Sequence, residues 1–267
     1  MPKTILLTGA GSGLGEGTAI GLAHAGCDVI ATVQIPPQVT ALREKAAALG
    51  LSNLRVEKLD LLDRFDVDQA LGWDIDILVN NAGIGEGGPV SEMPAELVRR
   101  SFEVNLFAPL ALTQGVVRRW VEAGKTGKIV FTSSTGGLHT PPAFGLHAST
   151  MHALEAVAES MRQELGAFGI QVQTINPGTY LTGFNETMAD TAFRWLDDRR
   201  NFTKRADMRR TFDGLLGTPQ SRMEPSELID AMVEIIPADS GKVRNVVPQH
   251  LEDMLKQHQA DAWDARL

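Results

Sequence analysis

The residues Thr8-Gly9-Ala10-Gly11-Ser12-Gly13-Leu14-Gly15 are the first in the chain whose types and spacing suggest chemistry. Glycines permit a tight turn and let a backbone come close to a pyrophosphate, while a helix starting just behind them adds free N–H groups and its positive end. The spacing is G-x-x-x-G-x-G on Gly9, Gly13 and Gly15, not the commoner G-x-G-x-x-G, whose last glycine would fall on Leu14. The bland alternative is a plain turn. A position between a strand and a helix is the context that favours phosphate binding. Other chemistry-bearing side chains are few. His139, His147 and His152 lie close in sequence, but His147 and His152 are five apart and do not share a helix face, and zinc wants converging ligands with Cys, Asp or Glu among them. No metal is expected. Ser134 lacks the G-x-S-x-G elbow and is not read as a stand-alone nucleophile.

These residues must be positioned by regular elements, and the apolar runs supply them. Strands are expected at Ile5 to Thr8, Asp28 to Val33, Leu54 to Leu59, Asp76 to Asn80, Lys128 to Thr132 and Ile170 to Ile175. Helices are expected at Gly15 to Ala25, from Pro36 to Gly50, twice between Pro94 and Ala123, and at Leu146 to Phe168. The tail from Ser226 to Leu267 reads as a helix at Glu227 to Ile235, an extended Val243 to Val247 and a charged last helix. Strand–helix alternation implies an α/β fold with a doubly wound parallel sheet in a single domain, and a ligand site outside the carboxyl ends of its strands. The segment from about Thr179 to Pro225 breaks the alternation and is expected to form a helical lid. Its Phe184, Met188, Phe193, Trp195, Phe202 and Phe212 either line an apolar substrate pocket or pack the lid onto the sheet. Arg199-Arg200 and Arg209-Arg210 are read as solvated faces, with attraction of an acidic substrate as the alternative.

Composition sets the outer bounds. The 267 residues are 43% apolar and 22% charged, which excludes a disordered chain. A net charge of −8 argues against nucleic acid and anionic membranes as partners. Apolar runs fall short of the roughly 18 residues needed to span a bilayer. The start lacks a signal-peptide pattern, and the single Cys27 suits a reducing compartment. A cytoplasmic protein is expected.

In this setting the glycine loop resembles that of the short-chain dehydrogenase/reductases. Asn80-Asn81-Ala82-Gly83 after the fourth strand, Asn105 in Phe102-Glu103-Val104-Asn105, Ser133-Ser134 after the fifth strand and Pro177-Gly178 after the sixth resemble the family in the same order. The likeness runs from residue 4 to about 184. It implies a Rossmann-type domain that binds NAD or NADP. By that resemblance the loop from Gly9 to Gly15, with Ser12, Gly13 and Leu14, meets the pyrophosphate. Asp60 and Leu61 lie beside the adenine, Asn81, Ala82 and Gly83 line the ribose side, and Pro177, Gly178, Tyr180 and Thr182 hold the nicotinamide end. At the end of the second strand Val33 and Gln34 replace the usual acid, and Ser12, not a basic residue, precedes Gly13. Gln34 can bond either ribose form, and the missing basic partner leans the reading toward NAD. The family also implies a homo-oligomer, and the helices at 94–123 and 146–168 suit such a contact.

The family pattern breaks at its centre. Counting from Ser134, the tyrosine position falls on His147 and the lysine position on Met151, where the family's lysine would hold the cofactor ribose. An imidazole titrates near pH 6.5 without help and can take the acid/base role. The implied set is then Asn105 to anchor a water path, Ser134 to hold the substrate oxygen and His147 to exchange the proton. Three readings stay open: hydride transfer between nicotinamide and an alcohol or carbonyl, non-redox chemistry such as elimination, isomerisation or dehalogenation, and a cofactor-binding pseudoenzyme.

Overall fold

The computed structural model describes residues 2–266. Its elements run β1 (Thr4–Leu7), α1 (Gly13–His24), β2 (Asp28–Val33), α2 (Pro36–Ala48), β3 (Leu54–Lys58), α3 (Arg64–Ala70), β4 (Ile77–Asn80), α4 (Ala95–Phe102), α5 (Ala108–Glu122), β5 (Gly127–Thr132), α6 (Gly145–Leu165), β6 (Ile170–Pro177), α7 (Phe184–Trp195), α8 (Arg205–Leu216), α9 (Ser226–Ile235), β7 (Arg244–Val247) and α10 (Leu251–Asp264). The seven strands form one parallel sheet in the order β3-β2-β1-β4-β5-β6-β7. Successive crossovers leave in opposite directions from β1 and β4, which opens a crevice at their carboxyl ends.

Both faces of the sheet are covered, so the central strands β1, β2 and β4 are mostly apolar and buried, whereas β3 and the start of β6 alternate in polarity. The period of two sorts them by face. Ile5 and Leu7 of β1 enter one core with Val79, Val130, Ile175, Leu228 and Met232. Leu6, between them, enters the other with Leu78, Ile129, Phe131, Leu112 and Leu154. A third cluster holds the lid: Met188, Ala192, Leu196, Met208 and Phe212 pack with Phe144.

The expected strands form, with ends shifted by a residue or two, and β6 runs on to Pro177. Helix α1 starts two residues earlier than its spacing suggests. Helix α3 was not expected. It is seven residues long, too short to show a period, and its signal is the cap at Asp63, whose carboxylate accepts from the Phe65 N–H at 2.9 Å. The two helices between Pro94 and Ala123 join through a π-helical turn at Glu103–Phe107. The lid's apolar residues divide. Met188 and Phe212 pack in the cluster with Phe144 and also lie against the loop after β4 at Gly85 and Gly87, and Phe202 faces solvent at 74% exposure.

Leu78 is fully buried on a strand that is itself central in the sheet. Leu78→Ala is expected to lower unfolding free energy by about 2–5 kcal/mol, read in urea as a lower midpoint at unchanged slope.

Candidate active site

The crevice between β1 and β4 is closed at its base by a stitch of hydrogen bonds. The N–H groups of Asn81 and Ala82 donate to Thr8 Oγ1 at 3.0 and 3.1 Å. Asn81 Nδ2 donates back to the carbonyls of Thr8 and Gly9 at 3.0 and 3.4 Å. The loop lies tight against this stitch. A Cβ on Gly9, which has φ of +74°, would meet Ala82 Cα at 2.7 Å, and one on Gly15 would meet the Gly9 carbonyl oxygen at 2.1 Å. Ser12 is the N-cap of α1, yet its side chain makes no capping bond, so it leaves the N–H groups of the first turn free. Leu14 packs against the first core and Gly13 faces Thr182, where a Cβ would lie 3.4 Å from Thr182 Cβ. The loop after β6 therefore forms the opposite wall, with Gly178 bonded to the Val247 carbonyl at 2.7 Å. Pro177 ends β6 beside it.

At the far end of the crevice Gln34 Nε2 donates to Asp60 Oδ2 at 3.3 Å, and Leu61 packs on the second core. Two residues assigned to the cofactor by resemblance have buried side chains. Tyr180 is 2% exposed in the first core, with its hydroxyl unpartnered and pushed up in pKa by burial and by Glu227. Met151 sits in the second core and brings no cation to the site.

The three candidate catalytic residues converge. Ser134 follows β5, and its Oγ accepts from the Gly136 N–H at 2.9 Å, which leaves the hydroxyl hydrogen free to donate. A methyl on Gly136 would lie 3.3 Å from Ser134 Oγ and 3.8 Å from His147 Cδ2, so both side chains border one space. His147 is in the first turn of α6, its ring edge-on to Phe184 at 5.6 Å. Its Nδ1 is buried without a partner. Burial pushes its pKa down to about 4.

Asn105 stands on the π-helical turn and is buried. Its Oδ1 accepts from the Ile84 N–H at 2.8 Å, and its Nδ2 donates to the Ile84 carbonyl at 2.9 Å and to Thr150 Oγ1 at 3.1 Å. Thr150 Oγ1 donates in turn to the His147 carbonyl at 2.8 Å. The Asn105 amide is thus spent on protein partners, and its visible work is to clamp the loop after β4, at Gly83 and Ile84, to α6. Sequence reasoning missed Thr150, whose signal was a hydroxyl three residues past His147.

The other histidines do not join the site. His139 bonds the Thr135 carbonyl and meets the His258 ring at 5.8 Å, and His152 bonds the Ala148 carbonyl. Among the described residues no group of three or more His, Cys, Asp or Glu could hold a metal ion, and no helix is long and apolar enough to cross a membrane.

The family model described as short chain dehydrogenase matches residues 3–192. The chain belongs to the short-chain dehydrogenase/reductase family. One relative of this short-chain dehydrogenase/reductase is the uncharacterized oxidoreductase YusZ of Bacillus subtilis, 38% identical over 191 residues that cover 69% of this chain and 68% of the relative. Carbonyl reductase [NADPH] 2 of Sus scrofa is 32% identical over 215 residues, covering 79% and 86%. Among solved structures, a short-chain dehydrogenase from Streptomyces avermitilis superposes with a TM-score of 0.80 at 25% identity, over 98% of this chain and 94% of that one. A short-chain dehydrogenase from Sphingobium yanoikuyae in complex with NADPH does so at 0.74 and 25% identity, over 100% and 97%. The lean toward NAD read at Val33 and Gln34 gains no support from these relatives.

Two outcomes follow from this geometry. Gly15→Ala pushes a methyl into the Gly9 carbonyl, and calorimetry is expected to show dinucleotide affinity lower by roughly tenfold or more, about 1.4 kcal/mol. The second concerns acid. His147 titrates at about 4 in the fold against 6.5 when unfolded, so the unfolded chain binds more protons between these values. Stability is full above pH 6.5 and falls as the pH drops toward 4, by on the order of 1–3 kcal/mol from this ring. Thermal melts of His147→Phe are expected to lack that component.

Proposed function

We propose that this short-chain dehydrogenase/reductase is an NAD(P)-dependent oxidoreductase that interconverts an alcohol and a carbonyl compound. The observation that carries the reading is the shared space between the free Ser134 hydroxyl and the His147 ring, at the same sheet edge as the glycine cradle. A diphosphate fits that cradle on two counts: Gly9 and Gly15 sit where side chains would collide, and the first-turn N–H groups of α1 lack a side-chain cap. The loop from Gly9 to Gly15 would hold the diphosphate, Asn81 to Gly83 would flank the ribose, and Pro177 to Thr182 would flank the nicotinamide end. A bound nicotinamide supplies the hydride donor or acceptor.

The chain's own residues do the rest. Ser134 donates its hydroxyl hydrogen to the substrate oxygen and orients it. His147, neutral at pH 7, accepts the alcohol proton in oxidation and returns it in reduction. Its low pKa makes it a weak base, so oxidation should be slow and flat in pH above about 5 as far as this ring is concerned. Asn105 and Thr150 hold the His147 turn in place. Phe184, against the His147 ring, gives the substrate an apolar neighbour. Gln34 can bond either ribose form, and the pig and Sphingobium relatives are named with NADPH. The proposal therefore takes in both dinucleotides. Self-association through the helices at 94–123 and α6 belongs to the same reading, with Phe107 of the π-helical turn and Val121 of α5 exposed.

The buried Met151 favours a second reading, non-redox proton transfer or cofactor binding without turnover, because no cation joins His147. One experiment separates them: fluorescence titration with NADH and NADPH followed by a broad carbonyl-reduction screen. The redox reading expects binding and turnover. His147→Phe should then lose roughly 100-fold or more in turnover, with dinucleotide affinity held within about threefold. Binding without turnover across the screen favours the second reading.

A further inference from the structure

Glu155 is a buried carboxylate outside the site described above, and one of its two partners, Asn176, leads back to that site. It lies four and eight residues beyond Met151 and His147, on the same face of α6 and about 12 Å along the axis from His147. Its Oε1 accepts from Asn176 Nδ2 at 2.6 Å. Its Oε2 accepts from Arg244 on β7, at 3.1 Å from Nε and 3.0 Å from Nη2. Asn176 is fully buried near the end of β6, with its Oδ1 accepting from Thr174 Oγ1 at 3.1 Å. The same Asn176 Nδ2 that meets Glu155 also donates to the Ser134 carbonyl at 3.1 Å.

The Ser134 peptide needs such a hold. The β5–β6 ladder gives its last bond at Ser133, whose N–H donates to the Ile175 carbonyl at 2.8 Å. Beyond it, the Ser134 carbonyl also accepts from the Gly137 N–H at 2.9 Å, but that bond is local and moves with the turn. The Asn176 bond ties the turn to β6 and, through Glu155, to α6. The Arg244 side chain is solvent-exposed, so its pair with Glu155 adds little stability, and the bond that carries Glu155 to the site is the buried one from Asn176.

We propose that Glu155 is a positioning residue: by orienting Asn176 it fixes the Ser134 turn against α6 and so sets Ser134 relative to His147. Two clamps then define the site. Asn105 and Thr150 hold the His147 end of α6, and Glu155 and Asn176 hold the Ser134 end. The proposal rests on the assignment of Ser134 and His147 above.

The test compares Glu155→Gln, which keeps an oxygen acceptor for Asn176, with Glu155→Leu, which keeps the volume and removes it. Glu155→Leu is expected to lower kcat in the carbonyl screen by about tenfold or more, with KM and dinucleotide Kd within about threefold of the parent. Glu155→Gln is expected to restore kcat to within about threefold. Native-state hydrogen exchange supplies a readout that needs no turnover. In Glu155→Leu the Gly136 and Gly137 amides should exchange about tenfold faster while the ladder amides of Ile129 and Val172 keep their protection, and Glu155→Gln should stay like the parent. Parent-like exchange at Gly136 and Gly137 in Glu155→Leu overturns the proposal. So does loss of protection shared equally by turn and ladder, or failure of Glu155→Gln to recover either readout. If the parent turns over no substrate but the turn loosens selectively, the positioning role stands and the redox assignment is what fails.

Discussion

The crevice between β1 and β4 is held by contacts that leave no room for a side chain. Gly15 sits where a Cβ would lie 2.1 Å from the Gly9 carbonyl, and Gly9 where one would lie 2.7 Å from Ala82. Thr8 and Asn81 bind these strands' ends to each other through side chain and backbone. This close approach places the free N–H groups of α1 at the switch point of the sheet. Everything else that bears on function is arranged at the same edge: the Ser134 turn after β5, the loop after β6 and the first turn of α6.

Helix α6 relates the two sides of the reacting space. It carries His147 in its first turn, Thr150 beneath it and Glu155 two turns on. One end is pinned to the loop after β4 by Asn105, and the middle is pinned to β6 and β7 by Asn176 and Arg244. Because the Asn105 and Asn176 pins are hydrogen bonds of fixed direction between buried groups, the separation of Ser134 and His147 is set by structure on both sides rather than by contact between the two residues. Burial in the same packing holds the His147 ring neutral at ordinary pH.

Much of this was legible in the sequence, for physical reasons. Strands buried on both faces read as apolar runs between glycine turns, so six of the seven appear directly and the seventh as an extended Val243 to Val247. The glycine loop, Asn81, Asn105, Ser134 and His147 could be ordered along the chain before their convergence was known. What stayed hidden depends on long-range geometry. The bond from Asn176 to Glu155 joins residues 21 apart, and that from Arg244 to Glu155 residues 89 apart. The lid shows the same limit. Its aromatic content was equally compatible with lining a pocket or packing on itself, and only the fold puts Phe184 against His147 while Met188 and Phe212 turn inward. Helix α3 escaped because seven residues carry too little periodicity and its cap is a single Asp63.

The claim at the centre is that Ser134 and His147 act on a substrate oxygen beside a bound nicotinamide. The most direct measurement uses reduced dinucleotide carrying deuterium at both nicotinamide C4 positions, incubated with a carbonyl substrate and read by mass spectrometry. The account predicts deuterium on the new carbinol carbon with the parent protein, and little or none with His147→Phe at equal dinucleotide occupancy. A parent protein that holds the labelled dinucleotide and converts substrate without transferring label would contradict it.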